Sequence, residues 1–286
     1  MMGPAARILP CGTRLHLQHG PIDLVIGADG DRKVAFAAAE ARFETVLEEL
    51  VMELPLLQSQ ITRHSPSPNG TIARRMDQAI RPHCQTFVTP MAAVAGAVAD
   101  TVLEAMRVAT PIQRAYVNNG GDIALHLGPG QTFVTAMNDH QGQDLGRIDI
   151  SHASGVGGIA TSGRHGRSLS LGIADSVTVL AKTAAQADAA ATLIANAVDL
   201  PGHLAIYRQP ASDLQDDSDL GEQLVVTGCD TLSDGDIHAA LDAGERRALE
   251  MQRENHIITA ALYLQGHCRL VGNTGFTPSV RTQLYA

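Results

Sequence analysis

SVTVLAKTAAQADAAATLIANAV, residues 176–198, is the stretch on which the fold turns. Ser176–Leu180 is apolar and β-branched and predicts a strand. Thr183–Val198 predicts a helix, with Thr183 as N-cap and Gln186 three residues on, the spacing of a capping box. Asp188 and Thr192 are four apart and share one helix face. A carboxylate and a hydroxyl one turn apart can bind a hard cation such as Mg²⁺, which keeps waters and needs few protein oxygens. The plainer alternative is a polar stripe facing water. The surrounding Ala, Leu and Ile predict a buried helix, and a buried aspartate needs a partner.

Working back along the chain, GVGGIATSGRHGRSLSLGIAD (residues 155–175) reads as a glycine-rich turn followed by a basic segment, Arg164, His165 and Arg167. Ser162, the backbone at Gly163, Arg164 and His165 are the components of an anion nest. A solvated loop with incidental charge is the alternative. The segment lacks the GxxxxGK[ST] of a phosphate-binding P-loop, and GVGGIA fails the GxGxxG spacing. Further back, VNNGGDI (residues 117–123) joins two strand-like pieces. Asn118 and Asn119 offer amides, Gly120 and Gly121 bare backbone, and Asp122 a carboxylate, although Asn-Gly is also a strong hairpin signal.

The remaining pattern mixes helices and strands without a βαβ rhythm. A strand is expected at 21–27, a helix over 32–53 stopped by Pro55, and a loop over 64–75. A small-residue helix is expected over 90–108. Strands at 114–118, 123–127 and 132–137 suggest an antiparallel meander, followed by a strand at 146–151. Residues 212–221 read as an acidic loop, 234–254 as a helix capped by Ser233, 257–264 as a strand, and the tail after Gly272 as irregular. The fold class is therefore α+β, an antiparallel sheet with packed helices, and residues 1–286 read as a single domain.

Composition narrows the function. Acidic residues outnumber basic ones 30 to 21 and the net charge is −9, which argues against nucleic acid as partner. No apolar run reaches a membrane span, and the start lacks the apolar core of a signal peptide, so a cytoplasmic protein is expected. Four scattered cysteines without a CxxC pair fit reduced thiols. Oligomeric state, a homo-oligomer included, is left open.

Four blocks, in order, resemble the ApbE superfamily of FAD:protein FMN transferases. PMAAVAGAVAD (residues 90–100) resembles GGIAKGYAVD, NNGGDI (118–123) resembles NAGGDI, and GIATSG (158–163) resembles GVATSG. SVTVLAKTAAQADAAAT (176–192) resembles the family's SVTV strand and the DALST-type metal motif after it. The blocks form a core of about residues 90–200. The resemblance, closest to an uncharacterised side branch, implies an ApbE-like, T-fold-related α+β architecture. It implies Mg²⁺ held by Asp188, Thr192 and the Ala160 carbonyl, and a nucleotide site lined by Asn119, Gly120, Gly121 and Asp122. It also implies FAD or FMN as ligand and an acceptor protein that the sequence does not name.

Two departures stand out. Ala95 and Ala97 replace the family's lysine and tyrosine. RHGRSLSLGIAD fills the twelve positions 164–175, where the transferases carry an HxIxDPxTG segment. The leading expectation is an Mg²⁺-dependent enzyme acting on a flavin nucleotide or similar small anionic ligand, by FMN transfer or FAD pyrophosphate cleavage, with Asp188 and Asp122 as catalytic residues. The alternatives are a related enzyme with a non-flavin substrate and a catalytically silent ligand-binding protein.

Overall fold

The computed structural model describes residues 3–272, 275–279 and 283–284. In chain order the strands are β1 (Ala5–Ile8), β2 (Arg14–His19), β3 (Ile22–Gly30), β4 (Ile112–Asn119), β5 (Asp122–Leu127), β6 (Thr132–Asn138), β7 (Asp144–Ser151) and β8 (Gly158–Ser162). They continue as β9 (Ser176–Ala181), β10 (Ile206–Pro210), β11 (Leu224–Cys229), β12 (Thr259–Leu264), β13 (His267–Val271), β14 (Phe276–Pro278) and β15 (Gln283–Leu284). The helices are α1 (Arg32–Phe43), α2 (Val46–Met52), α3 (Leu54–Leu57), α4 (Thr71–Ile80), α5 (Val94–Ala109), α6 (Ala184–Ala197) and α7 (Asp234–Arg253). The fold class is α+β. No helix among the described residues is long and apolar enough to cross a membrane.

The chain divides into two compact units. The first comprises residues 1–132, 151–160 and 181–189. Its strands run in the order β1-β2-β3-β4-β5-β8, antiparallel throughout. Helix α5 lies on β4 and β5 and packs against α1 and α4. The alternating burial of β2 and β3 sends Leu15, Leu17, Leu24 and Ile26 into a core shared with Phe43, Leu57, Ile72, Met76 and Met106. The lack of tryptophan is met by close backbone packing instead. A Cβ on Gly96 of α5 would lie 2.2 Å from the Ala184 carbonyl oxygen, and one on Gly158 of β8 would lie 2.3 Å from the Ala184 nitrogen. Two glycines thus clear space around the start of α6.

The second unit comprises residues 133–150, 161–180 and 190–286. Strands β9, β12 and β13 are antiparallel neighbours, β15 runs parallel to β13, and α7 packs on β12 and β13. A three-stranded sheet, β14-β7-β6, and a two-stranded ribbon, β10-β11, complete it.

Several sequence expectations are corrected. Pro55 does not stop a helix; it stands in the first turn of α3, where its missing N–H costs nothing. The expected helix over 32–53 is broken into α1 and α2. Residues 71–75 are the start of α4, whose buried Ile72, Ala73, Met76 and Ile80 recur at helical spacing behind the Ser/Pro-rich loop. The meander ends at β5: β6 belongs to a different sheet. The glycine-rich turn is confined to 155–157, and GIATS is strand β8. The tail contributes β14 and β15, while residues 273–274, 280–282 and 285–286 lie outside the described residues. β1, β2, β10, β11 and β13 were not foreseen; of these β1 is short and exposed.

Candidate functional site

Helices α5 and α6 cap each other. The first N–H groups of a helix have no partner within it. At α6, Asp100 of α5 accepts from the Ala184 and Ala185 N–H groups at 3.0 and 2.9 Å, and the Thr183 hydroxyl accepts from Gln186 at 3.2 Å. At α5, Asp188 of α6 accepts from the Gly96 N–H at 2.9 Å. Each helix therefore places a carboxylate at the positive end of the other. The contact requires the close approach that Gly96 permits.

Asp188 is a partly buried acid among acids. Its carboxyl is raised well above the ordinary range, first by burial and then by Asp122. The Gly96 and Ala95 N–H groups pull it down, and Asp100 pushes it up further. Asp100 is raised by burial, opposed by the Ala185 and Ala184 N–H groups and by Arg75. The charged groups acting on Asp188 are thus carboxylates, an arrangement that favours a proton or a cation beside it.

The NNGGDI segment is a tight hairpin between β4 and β5, with Asn119 opposite Asp122. Gly120 and Gly121 have φ of 65° and 119°, conformations that side chains resist. The Asn118 Oδ1 closes the turn by accepting from the Gly121 N–H at 2.8 Å. Asn119 is buried and donates from Nδ2 to the Ala95 carbonyl at 3.1 Å, tying the hairpin to the entry of α5. Asn119, Ala95, Gly96, Asp188 and Asp122 are therefore brought together within the first unit. Ala160 is buried at the end of that unit's β8 portion. Thr192 is half-buried on the portion of α6 that belongs to the second unit.

In the second unit Gly163 is held against the chain at Asp175, where a Cβ would come within 2.5 Å of the Asp175 carbonyl oxygen. Arg164 donates from Nε and Nη2 to Asp175 Oδ1 at 2.9 and 2.7 Å. The His165 Nε2 lies 3.3 Å from the same oxygen, and the Gln265 N–H donates to Oδ2. The charges of Arg164 and His165 thus face an internal carboxylate; Arg164 is half-buried, and His165 and Arg167 are exposed. An anion at Arg164 and His165 would share them with Asp175. Ser162 precedes this cluster and is half-buried.

Among the described residues no group of three or more His, Cys, Asp or Glu side chains is arranged to hold a metal ion. A set of one carboxylate, one hydroxyl and one main-chain carbonyl is not of that kind. The crowding of Asp188 by Asp122 and Asp100 is the observation that fits a cation.

A family model described as AbpE bacteria matches residues 6–270. The chain belongs to this bacterial ApbE-like family. A UPF0280 protein of Methanopyrus kandleri is 33% identical to the ApbE-like chain over 176 residues, 61% of this chain and 69% of that protein. The ApbE protein of Thermotoga maritima is 12% identical with a TM-score of 0.50, covering 91% of this chain and 96% of that one. A variant of the flavin transferase ApbE from Vibrio cholerae is 14% identical with a TM-score of 0.50, covering 98% of each chain. At these identities the structural likeness is one of fold.

Sequence reasoning on the ApbE-like chain did not single out Asp100, although a lone aspartate in the apolar AVAGAVAD run was a signal. Asp175 carried no motif of its own, and Gln265, whose N–H it accepts, had no local signal. Their contacts join segments far apart in the chain.

Proposed function

We propose that this chain is an Mg²⁺-dependent enzyme that binds a flavin nucleotide or similarly anionic ligand and transfers FMN or cleaves FAD at its pyrophosphate. The carrying observation is the carboxylate of Asp188, half-buried and crowded by Asp122 and Asp100. The family membership and the flavin transferase among the fold neighbours support the flavin reading.

In this reading Asp188, Thr192 and the Ala160 carbonyl hold the cation. When bound, it would offset the negative charge that develops as a phosphoanhydride breaks. Asn118, Asn119, Gly120 and Gly121 line the nucleotide side, where the two glycines leave backbone open to a ligand. Asp122, beside Asp188, is placed to accept a proton or to hold a ligand hydroxyl. Ser162, Gly163, Arg164 and His165 supply donors for a phosphate, with Asp175 orienting the guanidinium. The Gly96 and Ala95 N–H groups keep the Asp188 carboxylate in one orientation.

The test is incubation of FAD with purified protein and Mg²⁺, followed by separation of AMP and FMN. Asp188→Ala is expected to abolish the release. Release that persists in the variant removes the cation role, and no release with wild type and no thermal shift with FAD removes the flavin. A non-flavin substrate is favoured by one observation: the segment 164–175 turns Arg164 and His165 onto Asp175 where the flavin transferases carry a different sequence.

A further inference from the structure

We propose that His140 and His165 form a pH-operated latch that holds the β6–β7 turn on the 163–168 segment at neutral pH and releases it in mild acid. The two imidazole rings stack with centroids 3.7 Å apart and an interplanar angle of 16°. His140 sits at the tip of the turn between β6 and β7. That turn is a self-contained piece: the Asp139 Oδ1 accepts from the Gln141 and Gln143 N–H groups at 2.8 Å each, and the Asp139 N–H donates to the Gln143 carbonyl. Its β6 strand buries little besides Met137. The tip is therefore bonded within itself, and the ring stack joins it to the 163–168 segment.

The charges around the stack decide its response to acid. Facing His165 are Arg164 from its own segment, Asp175 from the strand entry at β9 and His140 from the turn; the remaining carboxylate of the turn, Asp139, is turned onto its own backbone. Asp175 is already matched by Arg164 at 2.7 Å. A proton on His165 adds a second positive charge that shares Asp175 with the Arg164 guanidinium, beneath the stacked ring of His140. Burial, then Arg164 and His140, hold His165 below its ordinary value, with Asp175 opposing. The docked state binds a proton less tightly than the released one. Docking is accordingly favoured above the ordinary histidine range and weakens as pH falls through it.

Hydrogen exchange of the peptide spanning 138–145, corrected for intrinsic rate, tests this at about pH 7.5 and about pH 5.5, on either side of histidine titration. In wild type, protection is expected to drop about fivefold or more at the lower pH. His165→Phe, which stacks without titrating, is expected to keep its protection at both. His140→Ala is expected to show low protection at both, with α7 unchanged. Equal wild-type protection at the two pH values, or a His165→Phe variant that loses protection as wild type does, overturns the latch.

Discussion

The Asp188 Oδ2 accepts the Gly96 N–H at 2.9 Å across 92 residues of sequence. The carboxylate that would hold a cation is therefore also the cap of a neighbouring helix, and the two tasks can be separated by substitution. Asp188→Asn keeps an acceptor for Gly96 and removes the charge; Asp188→Ala removes both. In metal-free buffer near neutral pH, Asp188→Asn is expected to unfold at a higher temperature than wild type, because the charged form is disfavoured where it stands. Asp188→Ala is expected to lose about 0.5–2 kcal/mol, the value of a helix cap. The pH dependence has a definite sign. A carboxyl raised in the folded state stabilises below its unfolded value of about 3.9 and loses that contribution as pH rises through the folded one. Asp188→Asn should flatten that decline, and Mg²⁺ should stabilise wild type but not the variant. Thermal melts with chelator and with Mg²⁺ check all three.

Asp100 and Gly96 are expected to matter for stability in the absence of any ligand. Asp100→Ala strips the Ala184 and Ala185 N–H groups of their acceptor and should cost about 1–3 kcal/mol. Gly96→Ala drives a methyl to 2.2 Å from a backbone oxygen that cannot swing away, and should cost about 1–3 kcal/mol or more. Gly235→Ala, in the first turn of α7 with its nearest contact at 3.8 Å, should gain up to about 1 kcal/mol. Urea midpoints at a common slope separate the three.

Arg164 and Asp175 should act in opposite directions on anion affinity. Arg164→Ala is expected to weaken binding of FAD about tenfold or more, the loss of a charged hydrogen bond. Asp175→Asn loosens the internal hold on Arg164 and should leave affinity unchanged or tighter. Isothermal titration calorimetry with FAD and Mg²⁺ reads both; identical affinities in wild type and Arg164→Ala would exclude the guanidinium from the ligand.

The four cysteines are unpaired and should alkylate in a fixed order. Cys11 is exposed, and hydrogen bonds from the Arg14 and Thr13 side chains lower its thiol to about 6. Cys268 is buried and pushed up to about 11. Iodoacetamide at neutral pH is expected to modify Cys11 first and Cys268 last, since the thiolate is the nucleophile. Peptide mass mapping over a time course follows the order.

What the sequence announced was mostly local. The strand at Ser176, the Thr183 cap, the Ser233 cap and the paired glycines at 120–121 are all signalled within a few residues, and each is found in place. Pro55 misled because proline is tolerated in a helix's first turn as readily as it ends a helix. GIATS looked like loop because Gly158 stands where a backbone passes too close for a side chain, which is a packing demand and not a turn. The exchange of caps between Asp100 and Asp188 was out of reach, because an aspartate inside a helix carries no mark of which other helix it serves. The same holds for Arg164: a basic segment reads as an invitation to an anion until its carboxylate, eleven positions on, is seen beside it.

The exchanged caps also bear on the order in which the first unit forms. Helix α5 emerges from synthesis long before Asp188 exists, and until α6 arrives its first N–H groups have only water. Helix α6 in turn is born next to an Asp100 already made. Neither end is finished alone, so both helices gain their last stability in one long-range closing step, and such steps are slow for entropic reasons. A nascent chain stalled before residue 184 would carry α5 without the carboxylate that caps its first turn.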